Sequence, residues 1–211
     1  MADGPLRVVV LVSGSGSNLQ SIIDTVHAPG GEIEVVLVVS SRPGVLALER
    51  AERAGIATTV VELAGRDRAE RDAELAEVVD AASPDLVVLA GWMSILSGVF
   101  LDRFPDRVIN LHPSMLPAFP GLHAIPQALA WGVRYTGVTV HFAEEVVDGG
   151  PPILQEPVPV MYGDDEEALT ARIREVEHRL VPEAVRLFAA GRVRRDAVDR
   201  RKVQIISVEG E

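Results

Sequence analysis

The sequence predicts an α/β fold with a mostly parallel central sheet and helices on both faces. Two observations carry this reading. Short apolar runs of strand length alternate with segments of helical spacing through the first half of the chain. Each run is apolar on both of its faces, as a strand must be when helices cover both sides of its sheet.

The elements follow in order. Arg7 to Val12 is a continuous apolar run that ends at Ser13. Asn18 to His27 has helical spacing, with Leu19, Ile22, Ile23 and Val26 on one face. Ile33 to Val39 is a Val-rich strand, Val45 to Ala54 a helix stopped by Gly55, and Ala57 to Leu63 a third strand. Arg68 to Ala82 reads as an amphipathic helix and Asp85 to Ala90 as a fourth strand. The second half changes character. Arg107 to Leu111 is a strand, His112 to His123 a Pro- and Gly-rich loop, and Ile125 to Trp131 a short helix. Thr136 to Ala143 alternates, with Val138, Val140 and Phe142 on one side, and Ile153 to Val160 is a further strand. Asp164 to Ala190 reads as one long helix with Asp164 as its N-cap, kinked or divided at Pro182. Val203 to Ile206 is expected as a final edge strand. With no internal repeat or low-complexity linker, one domain over 1–211 is expected.

Composition removes several function classes. The chain has no cysteine, which excludes disulfides, thiolate metal sites and thiol nucleophiles and fits a cytoplasmic protein. The formal net charge of -11 leaves little material for a basic face, so nucleic acid is not an expected partner. Lys202 is the only lysine, so a Walker phosphate loop and a Schiff-base lysine are both ruled out. No apolar stretch approaches the roughly 18 residues of a membrane span, and the opening residues Met1 to Leu6 do not read as a signal peptide.

Two constellations can carry chemistry. Ser13-Gly14-Ser15-Gly16-Ser17-Asn18 lies between a strand and a helix. Its glycines let several N–H groups converge at a helix N-terminus, which makes a phosphate site without a cationic side chain. A tight turn that only packs helix on strand is the alternative. Leu19 stands where a dinucleotide fingerprint would place its third glycine. The second constellation is Asn110 and His112, two apart at the end of a strand and hence on one side of it, with Asp148 in a Val-Asp-Gly-Gly turn. An amide donor beside an imidazole suits a tetrahedral oxyanion, and a carboxylate near that imidazole favours its charged form. His112 as a strand cap and Asp148 as a turn former are the alternatives taken singly.

At these residues the chain resembles the phosphoribosylglycinamide formyltransferase family. The matching segments are Ser13 to Asn18, Leu89 to Met93, Ile109 to Ser114, Leu116-Pro117, Pro120 to His123, Thr139 to Phe142 and Asp148 to Pro151. They occur in the family's order and span about Arg7 to Arg192. The resemblance implies a Rossmann-like formyltransferase fold, with phosphate-binding βαβ units over about 1–105 and a catalytic and folate-binding part over about 106–211. It implies transfer of a formyl group from 10-formyltetrahydrofolate to the amine of glycinamide ribonucleotide, in purine biosynthesis. Asn110, His112 and Asp148 would be the catalytic trio. Gly16, Ser17 and Asn18 would hold the substrate phosphate, and Glu177 the ribose. Met93, Ser94, Ile95, Leu96, Asn110, Glu144, Glu145, Val146, Val147 and Asp148 would line the folate pocket, with Arg68 near the folate's glutamate tail. Both partners would be small molecules; no metal and no membrane are expected, and a homodimer is left open. The chain departs from the family's usual pattern at Ser94, Ala118, Ala124 to Pro126 and Arg174.

His141 fits either support of the trio through water or a purely structural place, and Trp92 and Met93 either flank a pterin ring or pack the core. No H-E-x-x-H or H-x-H spacing suggests a catalytic metal. A methionyl-tRNA formyltransferase would need a further RNA-binding domain and a basic surface. A formyltetrahydrofolate deformylase usually carries a regulatory domain in front of its first strand. A dinucleotide-binding module, with Arg42 at a ribose phosphate, would need the missing third glycine.

Overall fold

A computed structural model describes residues 4–62 and 65–207. Its centre is a seven-stranded sheet in the order β3-β2-β1-β4-β5-β6-β7. Strands β1 (Leu6–Val12), β2 (Ile33–Ser40), β3 (Thr58–Val60), β4 (Leu86–Leu89) and β5 (Val108–His112) are parallel. Strands β6 (Tyr135–Phe142) and β7 (Pro152–Pro159) continue the sheet antiparallel.

The double-sided burial of the strands divides the core in two. Val8, Val10 and Val12 of β1 face one cluster, which also takes Val88, Ile109, Val138, Val140 and Phe142. Val9 and Leu11 face the other, with Val87, Leu89 and Val108. The first cluster is covered by α1 (Ser17–Thr25), α2 (Leu46–Arg53) and α6 (Glu166–Ala189), with α5 (Ala124–Trp131) packed beside α6. The second is covered by α3 (Arg68–Ala81) and α4 (Gly98–Leu101), which bring in Leu75, Val79 and Phe100. Over β5 and β6 this second face turns polar. Asn110 pairs with His141 and His112 with Thr139, so four polar residues stand together where the apolar layer stops.

Several expectations need correction. The α6 N-cap is Asp165, whose carboxylate accepts from the Ala168 amide at 2.8 Å; Asp164 instead pairs with Arg172 at 2.7 Å. Pro182 lies inside α6 without dividing it. Val203–Ile205 does form a strand, β9, but not at the edge of the main sheet: it pairs with β8 (Val193–Arg195) as a separate two-stranded hairpin. Helix α4 was not foreseen, because four residues are too few to show a period. Leu63, the expected end of the third strand, lies outside the described residues, as do Met1 to Asp3.

Candidate active site

The Ser13–Asn18 turn follows β1, and Gly91 to Met93 follow β4. Strands β1 and β4 are neighbours at which the strand order reverses direction, and the crevice beyond such a pair is the ordinary ligand site of an open α/β sheet. A cavity of about 220 Å³ lies there, lined by Ser13 to Asn18, Ala90, Gly91 and Met93. Ser13 joins its two walls: its Oγ accepts from the Met93 amide at 3.0 Å and from Ser41 Oγ at 2.7 Å. Gly16 is the N-cap of α1 at φ 70°, a conformation that favours glycine, and a Cβ there would lie 2.6 Å from Ala47 Cβ. No side chain caps α1, and uncapped N–H groups at a helix start suit an anion.

Sequence reading missed the support behind this turn. Arg50 of α2 donates Nε to the Ser15 carbonyl at 2.9 Å, so a cation braces the turn without lining the cavity. Glu177 of α6 is brought to the same place, accepting from Asn18 Nδ2 at 3.1 Å. Burial pushes its carboxyl above the ordinary carboxylate range, against the Asn18 hydrogen bond and nearby Arg174.

The trio meets beyond the end of β5. His112 Nδ1 lies 3.2 Å from Asp148 Oδ2, and Asn110 Nδ2 lies 3.4 Å from Asp148 Oδ1. Asp148 reaches them from a turn in which its own φ is 51°, a conformation an aspartate tolerates better than most residues. Gly150 fixes how that turn closes, since a Cβ there would lie 1.8 Å from the Phe142 carbonyl. His141 joins the group: Nε2 stands 3.2 Å from Asn110 Nδ2 and 3.6 Å from Asp148 Oδ1, while Nδ1 donates to the Phe142 carbonyl at 2.8 Å.

Burial pulls the His112 imidazole below its ordinary value, although the Phe119 carbonyl and the Asp148 carboxylate favour the cation. Both ring nitrogens nonetheless face acceptors, an arrangement that suits an imidazolium. Its Nε2 donates to the Phe119 carbonyl at 2.8 Å, and Nδ1 faces the Asp148 carboxylate at 3.2 Å. Burial also pushes the Asp148 carboxyl up, but His141, the Gly121 amide at 2.7 Å and His112 together hold it below the usual range.

The loop after His112 is pinned by residues that sequence reading did not single out. Thr139 Oγ1, fully buried, donates to the Ser114 carbonyl at 2.7 Å and accepts from the Leu116 amide at 3.1 Å. Gln155 of β7 adds a bond to the Leu116 carbonyl at 2.8 Å.

The segments expected to line a folate pocket adjoin one another. The Glu145 carboxylate accepts from the Gly98 amide, joining the 144–148 turn to the 93–97 loop. Three residues on one face of α3 hold that loop. Arg68 donates to the Leu96 carbonyl at 2.8 Å, Arg71 to Ser94 Oγ at 2.7 Å, and buried Asp72 accepts from the Ser97 amide at 2.7 Å. Met93, Ile95, Val146 and Val147 are exposed, while Trp92 is buried in the core. Glu144 is paired with Arg195 of the hairpin. His27 is structural, accepting from the Val35 amide at 3.1 Å. Among the described residues no group of three or more His, Cys, Asp or Glu side chains could hold a metal ion.

The formyl transferase family model matches residues 6–185. The chain belongs to the formyl transferase family. This formyl transferase is 45% identical over 190 residues to the phosphoribosylglycinamide formyltransferase of Escherichia coli, covering 90% of each chain. It superposes on the crystal structure of glycinamide ribonucleotide transformylase 1 from Symbiobacterium toebii with a TM-score of 0.91 and 47% identity, covering 96% of this chain and 95% of that one. It is also 46% identical over 189 residues to the trifunctional purine biosynthetic protein adenosine-3 of Bos taurus, of which it spans 19% of the length. The neighbours bear out the Rossmann-like fold of this formyl transferase. No helix among its described residues is long and apolar enough to cross a membrane.

Proposed function

We propose that this chain transfers the formyl group of 10-formyltetrahydrofolate to the amine of glycinamide ribonucleotide, giving formylglycinamide ribonucleotide in purine biosynthesis. The observation that carries the reading is the meeting of an amide, an imidazole and a carboxylate within 3.2–3.4 Å, two strands along the same parallel sheet from an uncapped helix N-terminus suited to a phosphate. The relatives named for this activity, matched nearly end to end, support it.

In this reading Gly16, Ser17 and Asn18 hold the substrate phosphate and Glu177 the ribose hydroxyls. That leaves the substrate amine directed toward Asn110 and Asp148. Met93 to Leu96 and Glu144 to Asp148 hold the folate, with Arg68 at its glutamate tail. The exposed apolar side chains of Met93, Ile95, Val146 and Val147 fit a flat pterin ring, which needs apolar contact on its faces.

The neutral amine attacks the formyl carbon, forming a C–N bond and turning the formyl oxygen into an oxyanion. The Asn110 amide donates to that oxygen. The proton leaving the amine passes to the Asp148 carboxylate. The His112 imidazolium is matched at both nitrogens, by the Phe119 carbonyl and by Asp148, and its charge stabilises the oxyanion. The C–N10 bond then breaks and the proton goes to the folate nitrogen. Alignment of two substrates in one crevice supplies much of the rate.

A spectrophotometric assay with a 10-formyl folate analogue tests this. Release of the deformylated folate only in the presence of glycinamide ribonucleotide is the expected result. Equal release without the ribonucleotide would make water the acceptor and overturn the reading.

A further inference from the structure

The β8–β9 hairpin lies beyond the residues that the family model matches, yet it reaches the turn that carries Asp148. Val193, Val203 and Ile205 pack on the core. Arg195 stands on the same face of β8 as Val193, paired with Val203, with its side chain only 13% exposed. Each of its nitrogens is engaged: Nε donates to the Arg200 carbonyl at 2.6 Å, Nη1 to Asp106 at 3.1 Å, and Nη2 to Glu144. The guanidinium also stands 5.6 Å from the centre of the Phe142 ring.

Two of these contacts, with Glu144 and Phe142, fall at the root of one turn. The chain leaves β6 at Phe142, passes Glu144 and Asp148, and returns so that the Pro151 carbonyl accepts from the Phe142 amide at 3.1 Å. Arg195 thus holds both the strand end and the first acidic residue of the turn. A cavity of about 290 Å³ lies under the contact, lined by Phe104, Val108, Phe142 and Arg195 among others. The hairpin is thus held by its apolar residues and, at the turn itself, by the guanidinium. The tip of the turn is strained at Asp148, so its geometry depends on a fixed root.

We infer that Arg195 is a positioning residue for formyl transfer, setting the 144–148 turn for the folate through its bridge to Glu144 and Phe142. This rests on the proposed formyl transfer and adds a specific demand: loss of Arg195 should damage use of the formyl donor and spare the ribonucleotide, which binds across the sheet at the Ser13–Asn18 turn. An arginine fork alone can span Glu144, Asp106 and a backbone carbonyl together; a lysine cannot.

The test measures kcat and both KM values for the wild type, Arg195→Ala, Glu144→Gln and the double variant. Arg192→Ala is the control: its Nε bonds the Ile206 carbonyl at 2.6 Å in the same hairpin and does not touch the turn. Arg195→Ala is expected to lower kcat/KM for the formyl donor by about tenfold or more, with KM for the ribonucleotide unchanged. The double variant should be no worse than the more impaired single variant. Arg192→Ala should match the wild type. Should Arg195→Ala not fold, Arg195→Lys takes its place with the same expectation. An unchanged donor kcat/KM, additive effects in the double variant, or an equal defect in Arg192→Ala would each overturn the inference. A wild type inactive with both substrates would instead overturn the proposed function.

Discussion

His112 Nδ1 and the Gly121 amide converge on the same oxygen of Asp148, at 3.2 Å and 2.7 Å. One carboxylate therefore ties the end of β5 to the loop that follows it. If that carboxylate and imidazole handle the transferred proton, His112→Ala and Asp148→Ala should each lower turnover by about 10²–10⁴-fold. Phosphate binding at the Ser13–Asn18 turn should persist. Steady-state kinetics beside isothermal titration with the ribonucleotide would show both; near-normal turnover in the two variants would remove the trio from the mechanism.

The acid limb of activity follows from the same pair. Both His112 and Asp148 titrate below their ordinary values of 6.5 and 3.8. Protonation of Asp148 removes the acceptor of the transferred proton, so formyl transfer should fall in acid with a midpoint below 3.8. Stability moves in the same direction. Below pH 6.5 the unfolded chain protonates this histidine before the folded chain does, so stability falls as pH drops from there toward the folded value. The contribution of Asp148 is lost at still lower pH, as its own depressed folded value is crossed. Thermal midpoints from pH 7 to 4 should fall, and His112→Gln should flatten the upper part of that slope.

Glu177 runs the opposite way. Burial raises its carboxyl, so ionising it in the folded chain costs stability above its ordinary value of 4.5. Glu177→Gln keeps an acceptor for Asn18 Nδ2 and removes that cost. The variant should melt at a higher temperature at pH 7, measured by calorimetry. It should also raise KM for the ribonucleotide by about tenfold, the value of a hydrogen bond to a charged group, while KM for the formyl donor stays put.

Thr139 tests the pinning of the loop. Thr139→Val keeps the shape but strands the Ser114 carbonyl and the Leu116 amide, which Thr139 now satisfies. A loss of about 1–3 kcal/mol in urea unfolding is expected. Turnover should fall with it, because Phe119 and Gly121 lie in the same loop and hold His112 and Asp148. Wild-type turnover in a destabilised variant would separate the loop from catalysis.

By itself the sequence determined what depends on local period and local chemistry. The runs at β1, β2 and β4 read as two-sided strands because their apolar residues are consecutive, and α3 begins at Arg68 as its spacing indicates. Asn110 and His112 were readable as one unit because residues two apart in a strand share a face. The turn at Ser13 to Asn18 was visible in its glycines. Tertiary structure decided what depends on residues far apart in the chain. His141 enters the trio only because β6 returns antiparallel beside β5 and sets it opposite Asn110. The pull of burial on the His112 imidazole comes from packing, which no spacing records. Strand β9 pairs with β8 rather than with the main sheet, and from there Arg195 reaches Glu144, 51 positions earlier in the chain. The physical reason is common to these cases. Period and turn chemistry act between neighbours in sequence, whereas strand pairing, desolvation and ion pairing act between neighbours in space.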